Sequence, residues 1–382
     1  MYDIAVFGGG KGAYSFIKEA LEKDFNVLFV GNLDIKDIVF DVALDFLVDI
    51  AEKTSSLKYL RDAGVSVFFK GLELDKILHK RNLLIEDTAI SIKRTLKNKK
   101  LTILENGTFL NNYTFKSGDT HYLFKNLIVT NSLQYKKTQG INTVLDYVFL
   151  EKYPEQIAIN GSDKVALQLA FVLAQFQKKV SIIDEKTHIL PQISSEFNST
   201  IIKTLKKEKI KFHPNTSIIE NEYYLRLEDG TKIPQCVVVD NTKSPPSFLP
   251  LEALRLDIVD NKIQTDNYLK TKFDNIFVID EDFSIKEQVF AIISNILKKN
   301  STEFLKIDSQ ILSIGKKMAK IGDFVPTNAM PLQLKKTNIK LSLKDSIIKG
   351  AQVLEDRDSI IPLLYFAIKN KLTIKELEAI IL

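Results

Sequence analysis

The residues best placed to do chemistry in this 382-residue chain belong to two short glycine turns. In the run FGGGKGAY, Gly8, Gly10 and Ala13 fit G-x-G-x-x-[GA], with Lys11 and Gly12 inside the pattern. The turn follows an apolar segment, YDIAVF (2–7), and precedes an amphipathic helix expected to run to about Lys23. Each position has a physical job. The first glycine makes the tight turn, the second lets the backbone approach a diphosphate, and the small third residue lets helix and strand pack closely. The helix N-terminus then faces the phosphate. A ribose-holding acid is expected where the next strand, NVLFVG (26–31), ends. That position is Gly31, with Asn32 and Asp34 nearby. The turn keeps the phosphate half of a dinucleotide site and lacks the acid of the ribose half. A turn kept for packing alone is the plainer alternative.

The second turn reads Gly161, Ser162, Asp163, Lys164, Val165, Ala166. Its first glycine is in place, but Asp163 puts a carboxylate where a diphosphate would sit. Like charges a few ångströms apart repel by about 1 kcal/mol per pair in water and by more in a cleft. Asp184, at the end of KVSIID (179–184), stands where a ribose-binding acid would stand. The plainer expectation for it is a strand-end acid facing solvent.

Other chemistries are excluded by what is missing. One cysteine, Cys236, rules out an intramolecular disulfide, a dithiol redox pair and a cysteine-rich zinc site. It lies in an apolar strand and is expected to pack in the core. No G-x-S-x-G, H-E-x-x-H or P-loop pattern occurs. The net charge, 53 − 48 = +5, is too weak to argue for nucleic acid. The basic runs (97–100, 206–209, Lys335-Lys336) are interleaved with acids rather than with stacking aromatics, and read as solvated faces. No apolar run reaches the roughly 20 residues of a membrane span. The chain opens directly on a strand, so no signal peptide is expected and a cytoplasmic location is.

The elements that must position these turns follow from periodicity. Strand, glycine turn, helix and strand make a βαβ unit at 2–31, and a second begins at Gln156: IAING, a helix over 164–177, then KVSIID. The two lie about 155 residues apart and form an internal repeat. Helical spacing dominates 35–98. LTILENG, YTFKSG, HYLF and NLIVTNS (101–132) suggest an antiparallel meander closing on a buried strand. YYLRLEDGTKI (223–233) reads as a hairpin turning at Asp229-Gly230. Buried strands follow at QCVVVD (235–240), before the breaker SPPS, and at NIFVID (275–280). The remainder mixes short strands (KIDSQILSIG, NIKLSL, SIIKGAQVL) with two closing helices.

This order resembles the pyridine nucleotide-disulfide oxidoreductases, dihydrolipoamide dehydrogenases above all. The carrying segments are YDIAVFGGGKGAY, LIVTNS, IAINGSDKVALQLAFVLAQFQKKVSIID, NIFVIDED and SIIKGAQVL. The resemblance covers nearly the whole chain. It implies an α/β fold with two Rossmann-like domains of FAD- and NAD(P)-binding type and a C-terminal α+β dimerisation-type domain. The division would be 1–145 with 266–302, then 146–265, then 303–382. It implies FAD along Gly8, Gly10, Lys11, Gly12 and Ala13, with Thr130 beside it and Glu281 as a polar contact to its chain. NAD(P)H would lie at Gly161 and Asp184, and a homodimer would form through the C-terminal domain. Departures cut against ordinary family chemistry. No Cys-x4-Cys pair follows the second strand. The usual Ala-Thr-Gly is Val129-Thr130-Asn131, and the usual Gly-Asp is Asp280-Glu281. DNTKSP (240–245) replaces Gly-Arg-x-Pro, and no His-Pro…Glu motif occurs before Leu382. Disulfide reduction needs a thiolate and a partner sulfur, which one cysteine cannot supply. Flavin chemistry without a disulfide is the leading expectation, and a non-enzymatic scaffold is the alternative.

Overall fold

The structure, a computed structural model, describes every residue except 67, 69, 132–133, 136–140, 191–192, 222–223, 235, 245–246, 298–301, 335–336 and 382. The Pro245-Pro246 breaker and the Lys335-Lys336 pair therefore lie outside the described residues. The chain forms two compact units. One comprises Met1–Asp41, Leu84–Gln134 and Lys243–Lys306, and the other Val42–Leu83, Tyr135–Thr242 and Ile307–Leu382.

The first unit is built on a parallel sheet in the order Leu101–Leu104, Val27–Val30, Tyr2–Phe7, Thr120–Asn131, Ile276–Asp280. Val27–Val30 is buried at every position, as expected of a strand covered on both faces. Alternation along Tyr2–Phe7 sends Ile4 and Val6 to one core and Ala5 to another. The first core is roofed by helices Gly10–Glu22 and Ile285–Ile296, through Phe16, Ile17 and Ile292. The second holds Phe109, Phe115 and Phe124, from the strands Thr108–Asn111 and Thr114–Ser117 and the start of Thr120–Asn131. Strand order reverses on either side of Tyr2–Phe7, so the carboxyl ends of three neighbouring strands frame a switch point there. Register places Phe7 beside Val129 and Thr130 beside Ile279.

One expectation changes here. LTIL is not part of a meander but pairs parallel with Val27–Val30, Val27 opposite Leu101. A short, half-buried edge strand carries no sequence mark of its partner's direction.

The second unit repeats the plan in the order Lys211–Pro214, Lys179–Asp184, Gln156–Asn160, Val237–Asp240, Asn142–Thr143, all parallel. Helices Lys164–Gln175 and Ser195–Lys207 follow the first two βα turns. The expected hairpin is present, Tyr224–Leu227 against Lys232–Pro234, with Ile218–Asn221 as a third strand. The same unit carries a five-stranded antiparallel sheet, Ser309–Ser313, Lys317–Gly322, Ile347–Val353, Thr337–Lys344 and Ala329–Leu334. Helices Ile361–Lys369 and Ile374–Ile381 close its core. Two of these strands escape a sequence reading. Lys317–Gly322 ends on a glycine, and Ala329–Leu334 contains Pro331, tolerated because that strand is an edge.

Candidate dinucleotide turns

At the first turn, Gly8 has φ +120°, and a Cβ there would lie 2.1 Å from Thr130 Oγ1. A Cβ on Gly31 would lie 2.0 Å from the Gly8 carbonyl oxygen. These two glycines are thus required by packing at the strand ends, whatever the turn binds. Gly10 has φ +71°, a conformation L side chains resist. The helix begins at Gly10, and its N-cap, Gly9, offers no side chain to the free amides. Thr130 Oγ1 accepts from the Gly9 N–H at 3.1 Å and lies 3.3 Å from the carbonyl oxygens of Phe7 and Gly9. Ala13 is buried against the sheet, as close packing requires. Lys11 turns its ammonium to Asp41. Asp34 accepts from the Lys36 N–H at 2.9 Å, starting the next helix rather than awaiting a ribose.

Glu281 Oε1 accepts from the Gly12 N–H at 2.8 Å, so a carboxylate reaches the first turn of the helix. The backbone beneath Glu281 is held firmly. Gln288, 0% exposed, accepts from the Asp280 N–H at 2.9 Å and donates to the Asp280 carbonyl at 2.7 Å. Lys262 bonds both flanking carboxylates, Asp280 at 2.9 Å and Asp282. Burial alone would push the Lys262 pKa down, but hydrogen bonds to Asp282 and Asp280 outweigh it and leave the pKa raised. Neither Gln288 nor Lys262 was among the expected site residues. The available signal was Gln288 itself, a polar residue on the apolar face of IKEQVFAII. Next to Thr130, Asn131 is 7% exposed, and its Oδ1 finds no donor among the described residues.

The second turn has the same frame with a different filling. Asn241 stands against Gly161, 3.4 Å from a Cβ there, as Thr130 stands against Gly8. Asp163 is the N-cap of helix Lys164–Gln175, its Oδ1 accepting from the Ala166 N–H at 3.0 Å. Asp184 does not face solvent as expected. It is 8% exposed, accepts from Ser162 Oγ at 2.5 Å and from the Lys186 N–H at 2.9 Å, and so closes the turn on itself. Buried carboxylates must be paired, and the Ser162 hydroxyl, brought from the neighbouring strand's turn, meets that need.

Cys236 is buried with Ala158, Ile183 and Leu225, and burial raises its thiol pKa. Among the described residues, no group of three His, Cys, Asp or Glu side chains could hold a metal ion. Among the described residues, no helix is long and apolar enough to cross a membrane.

Two strand–turn–helix units on parallel sheets, followed by an antiparallel sheet with helices, define an α/β protein with parallel Rossmann-like sheets and additional C-terminal elements. The chain belongs to the pyridine nucleotide-disulphide oxidoreductase family, whose model matches residues 2–281. It is similar to the dihydrolipoyl dehydrogenase of Mycoplasma genitalium, 21% identical over 299 residues, 73% of this chain and 65% of that protein. It is also similar to that of Acholeplasma laidlawii, 22% identical over 309 residues, 73% of this chain and 89% of that protein. The chain therefore spans less than two thirds of the length of the Mycoplasma genitalium relative. Among solved structures, the HOCl-induced flavoprotein disulfide reductase RclA from Escherichia coli superimposes with a TM-score of 0.74 at 12% identity. The match covers 97% of this chain and 94% of that one. With one cysteine in 382 residues, this member lacks the redox disulfide.

The turns differ in how well they suit the cofactors of such a family. The Gly8–Gly10 turn, with a bare N-cap at the start of its helix, suits the diphosphate of FAD. The Gly161–Asp163 turn does not suit NAD(P)H, because Asp163 and Ser162 already fill it and Asp184 is consumed.

Proposed function

We propose that this protein is a flavin-binding oxidoreductase-like member of the family that works without a disulfide relay. The observation that carries the reading is the Gly8–Gly10 turn, which opens a helix at a switch point with no side chain at its N-cap. Gly8, Gly10, Lys11, Gly12 and Ala13 would line the FAD diphosphate, with Thr130 holding the turn. Bound there, FAD supplies two-electron chemistry. The chain contributes backbone amides, the helix dipole and a sheet edge that fixes the turn. NAD(P)H at Gly161 and Asp184 is the weaker part of the reading, because that turn is filled. The three-part division at 145, 265 and 302, a homodimer through the C-terminal domain and a cytoplasmic location complete the proposal by family likeness.

Protein purified without added cofactor, then reconstituted with excess FAD, should show a flavin absorbance band and a raised melting temperature. Gly10→Asp should abolish both while circular dichroism stays unchanged. Absence of band and shift in the unaltered protein would refute the reading. A second reading is favoured by the carboxylates on both helix N-termini, Glu281 and Asp163. In it the chain is a scaffold that acts through protein contacts. NADH-dependent dye reduction above the free-flavin background would count against that alternative.

A further inference from the structure

We propose that the second unit binds a small organic phosphate in a lysine-lined cavity at the end of its parallel sheet remote from the Gly161 turn. The cavity has a volume of about 410 Å³, within the roughly 300–1,000 Å³ of small-molecule sites. Five lysines line it, Lys178, Lys179, Lys207, Lys209 and Lys211, and Glu208 is the one acid among its described lining residues. Read along the chain, 206–209 is a solvated basic face, and strand register is what brings further lysines beside it. Lys179 pairs with Gln156, and Ser181 with Lys211, on neighbouring parallel strands. Alternate strand residues share a face, so Gln156, Lys179, Ser181 and Lys211 stand together at the amino-terminal ends of three strands. Helices Lys164–Gln175 and Ser195–Lys207 end at the same place and bring in Lys178, Lys207 and Lys209. Gly161 and Asp184 lie at the opposite, carboxyl ends. At roughly 3.3 Å per residue, strand Lys179–Asp184 puts about 17 Å between the two.

The positive charge exceeds what the fold itself accounts for. Lysines at a helix C-terminus offset the dipole, about half a negative charge per helix, so two helix ends account for about one ammonium. Lys178 is the one of the five with an ion-pair partner among the described residues; its side chain, 12% exposed, pairs with Glu155. Glu208 accepts from Gln175 Nε2 at 2.7 Å and from Ser55 Oγ at 3.2 Å, and counted in full it offsets one more. About two positive charges are left over, which matches the charge of one phosphate monoester near pH 7. Lysine ammoniums bind phosphate as point charges and need no fixed fork. The cavity is far larger than the five heavy atoms of a phosphate fill, and buried Ile233 with Ala174 gives it an apolar wall. The ligand is therefore an organic phosphate whose body rests on that wall.

This inference is independent of the flavin reading. Calorimetric titration of the full chain with glucose 6-phosphate and with inorganic phosphate tests it. The expected result is one saturable site per chain, tighter for glucose 6-phosphate. K179Q/K211Q and K207Q/K209Q remove charge from two separate walls of the cavity. Each should weaken binding about tenfold or more, without lowering the melting temperature of the ligand-free protein; if one pair fails to fold, the other decides. K97Q/K99Q takes the same charge from the other basic run, and Gly10→Asp alters the first glycine turn; both should bind as the unaltered chain does. Absence of saturable binding by the unaltered chain overturns the site. So does equal weakening in K97Q/K99Q, which would reduce the effect to net charge, or loss in Gly10→Asp, which would place the phosphate at the glycine turn. Equal binding of the two probes overturns the organic ligand. Displacement of glucose 6-phosphate by a tighter-binding single-stranded oligonucleotide would show a nucleic-acid surface instead.

Discussion

At the scale of single residues, burial sets the chemistry of the few titratable groups inside the fold. His213, on the strand Lys211–Pro214, has a buried Nε2 with no hydrogen-bond partner among the described residues. Burial lowers its pKa; Asp229 opposes that shift and Lys211 adds to it. An unfolded histidine takes its proton near pH 6.5. On acidification the unfolded chain is therefore protonated first. The stability associated with neutral His213 is fully present above that pH and is lost as pH falls toward the lower folded value. Melting curves between pH 7 and 5 should show the unaltered protein losing roughly a degree or two more than His213→Gln. Parallel curves would show that the ring is solvated in the native state. The glycine turns were legible at this scale because Gly8, Gly10 and Gly161 announce themselves in one dimension. The burial of Asp184 was not, because a strand-end acid reads the same whether or not a serine reaches it.

At the scale of elements, the short helix Val144–Val148 shows how a marginal piece is held. Its start is a reciprocal cap, Thr143 and Asp146 each satisfying the other's backbone. Its end is closed by Arg81, 1% exposed, which donates to the carbonyls of Val148 at 2.7 Å, Leu150 at 2.9 Å and Phe149 at 3.3 Å. Burial lowers the guanidinium pKa, while Tyr153 and Glu151 raise it in part. Five residues cannot sustain a helix alone, so these caps decide whether it forms. Arg81→Ala should cost about 2–4 kcal/mol by leaving buried carbonyls unpaired. Arg81→Lys should recover only part of it, because an ammonium cannot match the planar fork. Urea titration measures both, and a loss below about 1 kcal/mol for the alanine variant would contradict the capping role. Arg81 could not be singled out from sequence: within the helical pattern over 35–98 it reads as one more exposed cation.

At the scale of the whole molecule, one sulfhydryl in 382 residues is a chemical limit that no arrangement can lift. Cys236 is buried in the second unit, with its pKa raised by burial. A thiol reagent should find about one reactive sulfur per unfolded chain and nearly none in the native protein over the same time. NADH-dependent lipoamide reduction should stay at background whether or not FAD is present. Rapid native labelling or turnover of lipoamide would show that Cys236 is exposed and working. Scarce glycine is a second whole-chain property. Helices Gly10–Glu22, Lys164–Gln175 and Ser195–Lys207 are followed by Asp24, Gln177 and Lys209 at positive φ, where glycine commonly sits.

The sequence by itself determined two strand–turn–helix repeats, the family they belong to and the loss of the sulfur relay. Each of these depends on residue type and short-range spacing, which a linear reading retains. Only the tertiary structure decided that LTIL runs parallel to its neighbour, that Asp184 is buried under Ser162, and that Glu281 meets Gly12. Those outcomes depend on strand order and register. They are set by which distant surfaces pack together, and no local pattern along the chain encodes a contact made across 269 positions.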